Sequence, residues 1–396
     1  MLLASCFGSE GKGKIIEHIA SDYDIMVRTG APNAGHSVWL PSAISRFAFQ
    51  QIPCGAITNK RAILVIGAGG LILKNVLQRE IEKLKECGVW GDRLIIDRQA
   101  GIIDHKHVLE EHGGTICPDH LDPMNCKEWK EQLNPYGKSC GDCVQMTKDD
   151  LWKKIGSTRE GCGAALSARV WRKGNITLVK DDQEMMDLAD SGVFRIMDTS
   201  VWLNEQIDHQ ARILLEGTQG SGLSVFHGYY PYTTSRDTNA ANWLAEAGLS
   251  PKVVRSVIGV MRTFPIRVAG NSGPSSSKEL EWNDIEKFAG APEGSIKEKT
   301  TVTKRIRRVF EFNYDDVRKA LLINRPDSVA ITFVDYLNWN DRGKTTIKDL
   351  SEKSLKWIES LGEELRITDR IHFLSTGARP EEMITDAHMK LIKIGG

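Results

Sequence analysis

Residues 2–14 read LLASCFGSEGKGK, and the reading of this stretch decides the fold. The apolar run 2–7 predicts a buried strand, and 11–20 predicts the helix it feeds. Between them lies a turn rich in glycine and lysine. Such a turn presents free backbone N–H groups and the positive end of a helix to a phosphate. Gly8 and Gly13-Lys14 have the G-x-x-x-x-G-K spacing of a phosphate-binding loop, but Ile15 stands where Ser or Thr would hold Mg²⁺. An ordinary tight turn with solvated lysines is the plainer reading. It accounts poorly for three glycines and two lysines within 8–14, directly behind a strand.

Outward from the loop, the same alternation recurs. Residues 24–27, 62–66, 93–96, 212–215 and 328–333 read as short buried strands. Leu73, Val76, Leu77, Ile81 and Leu84 recur at helical spacing before Gly88, and 314–322 is also helical. Strands alternating with helices predict an α/β fold: a P-loop-NTPase-like, mainly parallel central sheet with helices on both faces and inserted subdomains. The chain, 396 residues long, reads as one unit over 1–396. A Cys/Pro-rich insertion spans 112–145, and a further region at 272–310 begins in a Gly/Pro/Ser loop.

The formal net charge is zero, which argues against a general nucleic-acid or membrane-surface protein. The apolar run 62–73 contains three glycines and is too short to span a bilayer. The start lacks the basic and long apolar regions of a signal peptide, and the eight cysteines are scattered. The expected setting is the cytoplasm, with reduced thiols.

Four further segments carry chemistry. In 28–38, RTGAPNAGHSV, Asn33, Gly35 and His36 occupy a flexible loop, and His36 beside a phosphate could serve a developing oxyanion. In 155–165, IGSTREGCGAA, the hydroxyls of Ser157 and Thr158 suit a phosphate monoester, although a plain polar loop explains them as well. In 216–238, a strand end carries Gln219, whose amide can donate and accept as a purine edge requires. In 299–308, KTTVTKRIRR, five basic residues alternate with threonines. Neutral overall charge and the lack of interleaved aromatics favour a carboxylate and phosphate site over a nucleic-acid patch. Gly67-Ala68-Gly69-Gly70 fails the dinucleotide fingerprint, because Ile72 replaces its third glycine.

Together these segments resemble the adenylosuccinate synthetases. The matching pieces are 8–14, 33–37, 155–158, 216–220 with 227–231, 303–308, and 375–377, in the family's order along nearly the whole chain. The resemblance implies a ligase that phosphorylates the 6-oxygen of a purine nucleotide with a nucleoside triphosphate and then admits the amine of L-aspartate. It implies catalytic roles for Ser9, His36 and Gln219. Ser9, Gly11, Lys12, Gly13, Lys14, Gly35, His36, Ser37, Arg307, Asp335, Ser375 and Gly377 would bind the triphosphate. Ser9, Asn33, Ser157, Thr158, Arg172, Gln219, Thr234 and Arg305 would bind the monophosphate substrate. Thr301, Val302, Thr303 and Arg305 would bind aspartate, and Ser9 and Gly35 would contact Mg²⁺. Arg172, with Arg169 as a near alternative, would reach across a homodimer.

The chain also departs from the family. Ser9 replaces the loop aspartate that removes the purine N1 proton and helps bind Mg²⁺. Ser224 and Phe226 replace acidic residues, Lys304 replaces a glycine, and Phe333 replaces the lysine of a guanine-reading motif, leaving Asp335. A serine at the loop position resembles the bacteriophage branch, the 2-aminoadenylosuccinate synthases, which act on dGMP to supply 2-aminoadenine. A carboxylate at N1 would crowd guanine's 2-amino group, whereas serine leaves room and must relay the proton. The loss of the lysine favours ATP or dATP over GTP as donor. A conventional IMP-directed synthetase and an inactive nucleotide-binding protein are the alternatives. Cys117, Cys126, Cys140 and Cys143 could hold zinc, but free loop thiols are the simpler reading.

Overall fold

The computed structural model describes residues 1–41, 45–112, 155–172, 174–300 and 305–385. Its centre is a ten-stranded sheet. In chain order the strands are β1 (Leu2–Ala4), β2 (Ile25–Arg28), β3 (Ile63–Ile66), β4 (Leu94–Asp97), β5 (Arg195–Met197), β6 (Ile213–Glu216), β7 (Ile258–Arg262), β8 (Ser328–Thr332), β9 (Ile371–Ser375) and β10 (Met383–Thr385). Their spatial order is β5-β4-β3-β2-β6-β1-β7-β8-β9-β10, and every pairing is parallel except β9 with β10.

The strands are continuous apolar runs because both of their faces are buried. Leu2, Met26, Leu64, Ile66, Leu94 and Ile96 pack on one face with Ile15 and Ile16 of the helix Lys12–Ile19 and Leu77 of the helix Lys74–Glu86. Leu3, Ile25, Val27, Val65 and Ile95 pack on the other with Leu203 and Trp243. Each fully buried aliphatic side chain contributes roughly 1.5–3 kcal/mol. The expected α/β architecture is therefore the one found.

Four strands lie beyond the sequence reading: β5 and β10 at the two edges of the sheet, and β7 and β9 inside it. β7 lies directly beside β1, where Gly259 lets Pro326 approach: a Cβ there would come within 3.1 Å of the proline ring. β9 flanks β8 and ends at Ser375. The 272–277 loop is pinned by Arg267 and Arg308, which donate to the Pro274 and Gly273 carbonyls. The insertion, apart from His112, lies outside the described residues, as do Cys117, Cys126, Cys140, Cys143, Thr301, Val302, Thr303 and Lys304.

No helix among the described residues is long and apolar enough to cross a membrane. β1, β2, β6, β7, β8 and β9 all release their carboxyl ends on one edge of the sheet, where ligands gather in open α/β folds.

Candidate active site

The loop after β1 is held by positive backbone angles, φ 83° at Gly8, 61° at Ser9 and 78° at Gly11. Ser9 is the one residue of the three with a side chain, and the left-handed region costs such a residue roughly 1–2 kcal/mol. Gly13 is fixed by close approach. A Cβ there would sit 2.5 Å from the Ser37 carbonyl oxygen, so the helix start and the His36–Trp39 strand are packed backbone to backbone. Glu10, wholly buried, accepts from the N–H groups of Cys6 and Gly8 at 3.1 Å each and stiffens the turn from inside.

Both loop lysines point away from bulk water. Lys12 donates to the Gln219 carbonyl. Lys14 donates to Ser375 Oγ at 2.8 Å and to the carbonyls of Gly377 and Glu382, tying β9 to the loop. Burial lowers each ammonium to a pKa of about 8.

His36 belongs to a buried charge cluster. Its Nδ1 lies 2.6 Å from Glu216 Oε1, which Arg28 also contacts, while Glu216 Oε2 accepts from the Cys54 N–H at 2.9 Å. Burial would raise the Glu216 carboxyl, but Arg28 and His36 outweigh it and hold it well below the carboxylate range. Burial lowers His36 despite Glu216, so the imidazole is neutral at rest. A contact of 2.6 Å to an ionised carboxylate requires the proton on Nδ1, which leaves Nε2 as a lone pair. His36, Cys54 and Glu216 are close enough to suggest a metal trio, yet Arg28 already supplies the positive charge on Glu216.

A cavity of about 570 Å³ opens at this edge. It brings together Ser9, Lys12, Asn33, Gly35, His36, Ser157, Thr158, Gln219, Thr234, Arg305 and Arg307 from six separate stretches of chain. Gln219, at φ 59°, lines the cavity and keeps a buried Oε1 with no partner. Ser9 Oγ accepts from Arg307 Nη1 at 2.9 Å. Ser375, Gly377, Asp335, Ser37, Gly11, Gly13 and Lys14 do not line this cavity and lie behind the loop or around it. Asp335 is 3% exposed, with Oδ1 unpartnered. Burial, against Arg342 at 4.0 Å, raises it to about 6. One face of Phe333 is taken by Arg262, 3.9 Å from the ring centroid.

Arg172 is exposed at the end of the helix Cys162–Trp171 and does not line the cavity, whereas Arg169 turns inward and donates to the Ala68 carbonyl. Glu111, unmarked in the sequence reading, lines the cavity and caps that helix, accepting from the N–H groups of Gly161 and Gly163 at 2.8 and 2.6 Å. Arg28, Glu216 and Arg262 were also unmarked. Each is a charged residue that ends an apolar strand, and that pattern was the available signal.

Comparison with known proteins fits this geometry. A family model described as adenylosuccinate synthetase matches residues 1–113 and 175–348. The adenylosuccinate synthetase of Methanococcus vannielii is 32% identical over 387 residues, 97% of each chain. That of Methanocaldococcus jannaschii is 33% identical over 388 residues, 97% of this chain and 95% of its own. Among solved structures, the succinoaminodeoxyadenylate synthetase of cyanophage S-2L, bound to dGMP and dATP as an energy donor, superposes with a TM-score of 0.72 at 25% identity. The match covers 99% of this chain and 97% of that one. The adenylosuccinate synthetase of Plasmodium falciparum shares the fold at a TM-score of 0.73 and 21% identity, over 97% of this chain and 99% of its own.

Proposed function

The chain belongs to the adenylosuccinate synthetase family of C–N bond-forming ligases, and we propose that its purine substrate is dGMP. The observation that carries this reading is Ser9. At the loop position where the family has a carboxylate, a neutral hydroxyl accepts from Arg307 at the mouth of the cavity. A short neutral side chain leaves space for the 2-amino group beside N1. The cyanophage relative, matched over 99% of this chain and bound to dGMP and dATP, supports the same substrate and an adenine donor.

The γ-phosphoryl group of ATP or dATP passes to O6 of guanine as the N1 proton leaves. The amine of L-aspartate then forms the bond to C6 and phosphate departs, giving the N6-succinyl-2-aminopurine nucleotide, NDP and phosphate. Lys12, Lys14 and the loop N–H groups neutralise the donor phosphates. The Gln219 amide steadies the O6 side. His36 is neutral before binding, and the polyphosphate raises its proton affinity, so that it becomes a donor once the donor nucleotide is seated. Ser9 cannot keep the N1 proton, because a hydroxyl is too weak a base; as its oxygen takes that proton, its own O–H proton passes to water. Asn33, Ser157, Thr158 and Thr234 hold the monophosphate, and Arg305 with 301–303 holds aspartate.

Magnesium is implied by the family. The groups offered here, Ser9 and Gly35, are neutral, and the loop carboxylate of Glu10 is buried beneath the turn, its Oε1 accepting two backbone N–H groups and its Oε2 without a partner. The ion would therefore be held chiefly by phosphate oxygens and water, with Ser9 and Gly35 completing its shell, and would neutralise phosphate charge. Exposed Val170 and Trp171, 68% and 66% accessible beside Arg172, support a homodimer in which a second copy covers this helix end.

The second reading, an IMP-directed enzyme, is favoured by the archaeal relatives, which are more identical to this chain than the cyanophage protein. Steady-state turnover with dGMP, GMP and IMP, each with aspartate, decides between them. A clear preference for IMP would overturn the dGMP reading.

A further inference from the structure

β8 meets the phosphate loop at its carboxyl end, where the Thr332 hydroxyl donates to the Glu10 carbonyl at 2.8 Å. Three residues on, Asp335 does not line the cavity of about 570 Å³ but lies in the field of Lys14, on the side of the loop that holds Ser375 and Gly377. It is 3% exposed, and its Oδ1 is buried without a partner. A buried carboxyl oxygen left unpaired costs about 1–3 kcal/mol and marks where the hydrogen-bonding edge of a ligand fits.

Arg342, Lys14, Glu382 and Tyr336 are the charged or titratable groups around it among the described residues. Arg342 stands 4.0 Å from Oδ2, beyond hydrogen-bond reach, with its guanidinium over the Trp339 ring at 4.5 Å. Lys14 is committed to Ser375 Oγ and to two carbonyls. Glu382 opposes Asp335 as a like charge, and Tyr336 gives its hydroxyl proton to Glu298 at 3.1 Å. Burial outweighs both cations and raises the Asp335 carboxyl to about 6.

The two purine bases present different edges to a carboxyl group. Guanine offers two donors, N1–H and the 2-amino group, which match the two acceptors of a carboxylate. Adenine offers one donor, the 6-amino group, and one acceptor, N1. That edge matches a neutral carboxylic acid, which accepts on one oxygen and donates from the other. A carboxylate set against adenine leaves the N1 lone pair facing a charged oxygen.

We propose that Asp335 reads the base of the phosphate donor as a neutral acid, its hydroxyl donating to adenine N1 and its carbonyl oxygen accepting from the 6-amino group, so that protonation of one side chain selects ATP over GTP. The inference rests on the reading of ATP or dATP as donor. The surroundings favour the neutral form. Water is excluded, the Arg342 guanidinium makes no hydrogen bond to the carboxyl, and Phe333 adds no positive charge beside it. A bound triphosphate brings negative charge to Lys14 and offsets the hold of that lysine on Asp335.

The test is the ratio of kcat/KM for ATP to that for GTP, at saturating purine monophosphate and aspartate, between pH 6 and pH 8. The two donors carry the same triphosphate, so its titration and those of Lys12, Lys14 and His36 cancel. The ratio follows the proportion of acid to carboxylate and should fall by about 10-fold or more across this range. Asp335→Asn, whose amide always offers one donor and one acceptor, should hold the ratio flat with pH. In the unaltered protein, 1-deaza-ATP, with C–H in place of N1, should lose about 10-fold or more against ATP at pH 6 and less than about 3-fold at pH 8. A flat ratio in the unaltered protein, or one that still falls in folded Asp335→Asn, overturns the proposal. GTP preferred at every pH would sink the adenine-donor reading and this inference with it. ATP preferred by the same factor at every pH would sink this inference alone.

Discussion

Replacing Ser9 by Asp probes the substrate assignment most directly. The backbone at φ 61° accepts Asp as readily as Ser, since a short polar side chain tolerates the left-handed region. The new carboxylate would lie beside Arg307, which now donates to the serine oxygen at 2.9 Å. That contact becomes charge-assisted, a gain of about 1 kcal/mol after allowance for solvent at the cavity mouth. The fold should therefore melt at the same temperature or slightly higher.

The effect on the two purines should be opposite. For guanine, the added carboxyl group intrudes on the space of the 2-amino group, an overpacking cost of about 1–3 kcal/mol. For hypoxanthine, which carries only hydrogen at C2, the carboxylate restores a proton acceptor at N1, worth roughly 10²–10⁴ in rate. The ratio of kcat/KM for IMP to that for dGMP should rise by about 100-fold or more. A continuous phosphate-release assay at saturating aspartate and ATP, run on both proteins with both nucleotides, reads this ratio. A change below about 3-fold in a well-folded variant would refute the argument that the side chain at position 9 selects the purine.

Three further outcomes are expected. Gly13→Ala places a methyl group 2.5 Å from the Ser37 carbonyl oxygen, so KM for the triphosphate should rise about 10-fold or more while dGMP affinity moves little, as titration of each ligand will show. Triphosphate binding should take up protons at alkaline pH: Lys12 and Lys14 have pKa values of about 8 in the free protein, and neighbouring phosphate raises them. The uptake should be small at pH 7 and approach one proton or more near pH 8.5, read as the dependence of calorimetric heat on buffer ionisation enthalpy; release or no change there would count against phosphate contact by these lysines. Glu216→Gln leaves the buried Arg28 uncompensated and removes the carboxylate that fixes the His36 tautomer, so stability should fall by about 3 kcal/mol in a denaturant melt and kcat by about 100-fold.

The sequence by itself determined the class of fold and the skeleton of the site. Strands buried on both faces must be apolar runs, and so the segments at 24–27, 62–66, 93–96, 212–215 and 328–333 were legible to within a residue or two of β2, β3, β4, β6 and β8. The loop at 8–14, His36 and Gln219 were legible because each sits in a motif whose backbone chemistry is local. β7 was missed, although it lies beside β1, because Gly259 interrupts its short apolar run.

Only the tertiary structure decided what each polar group does. Glu216 stands 180 residues from His36, and Arg307 stands 298 residues from Ser9. Charge compensation has no period along a chain, so such pairs leave no trace in sequence spacing. For Glu216 and His36 the fold must first remove both groups from water, and the cost of leaving either unpaired then selects its partner; Ser9 stays exposed and meets Arg307 because the fold brings that residue to the loop. Ser9 in the sequence was a missing carboxylate. In the folded protein it is a hydroxyl gripped by two arginines, one on its oxygen and one on its carbonyl.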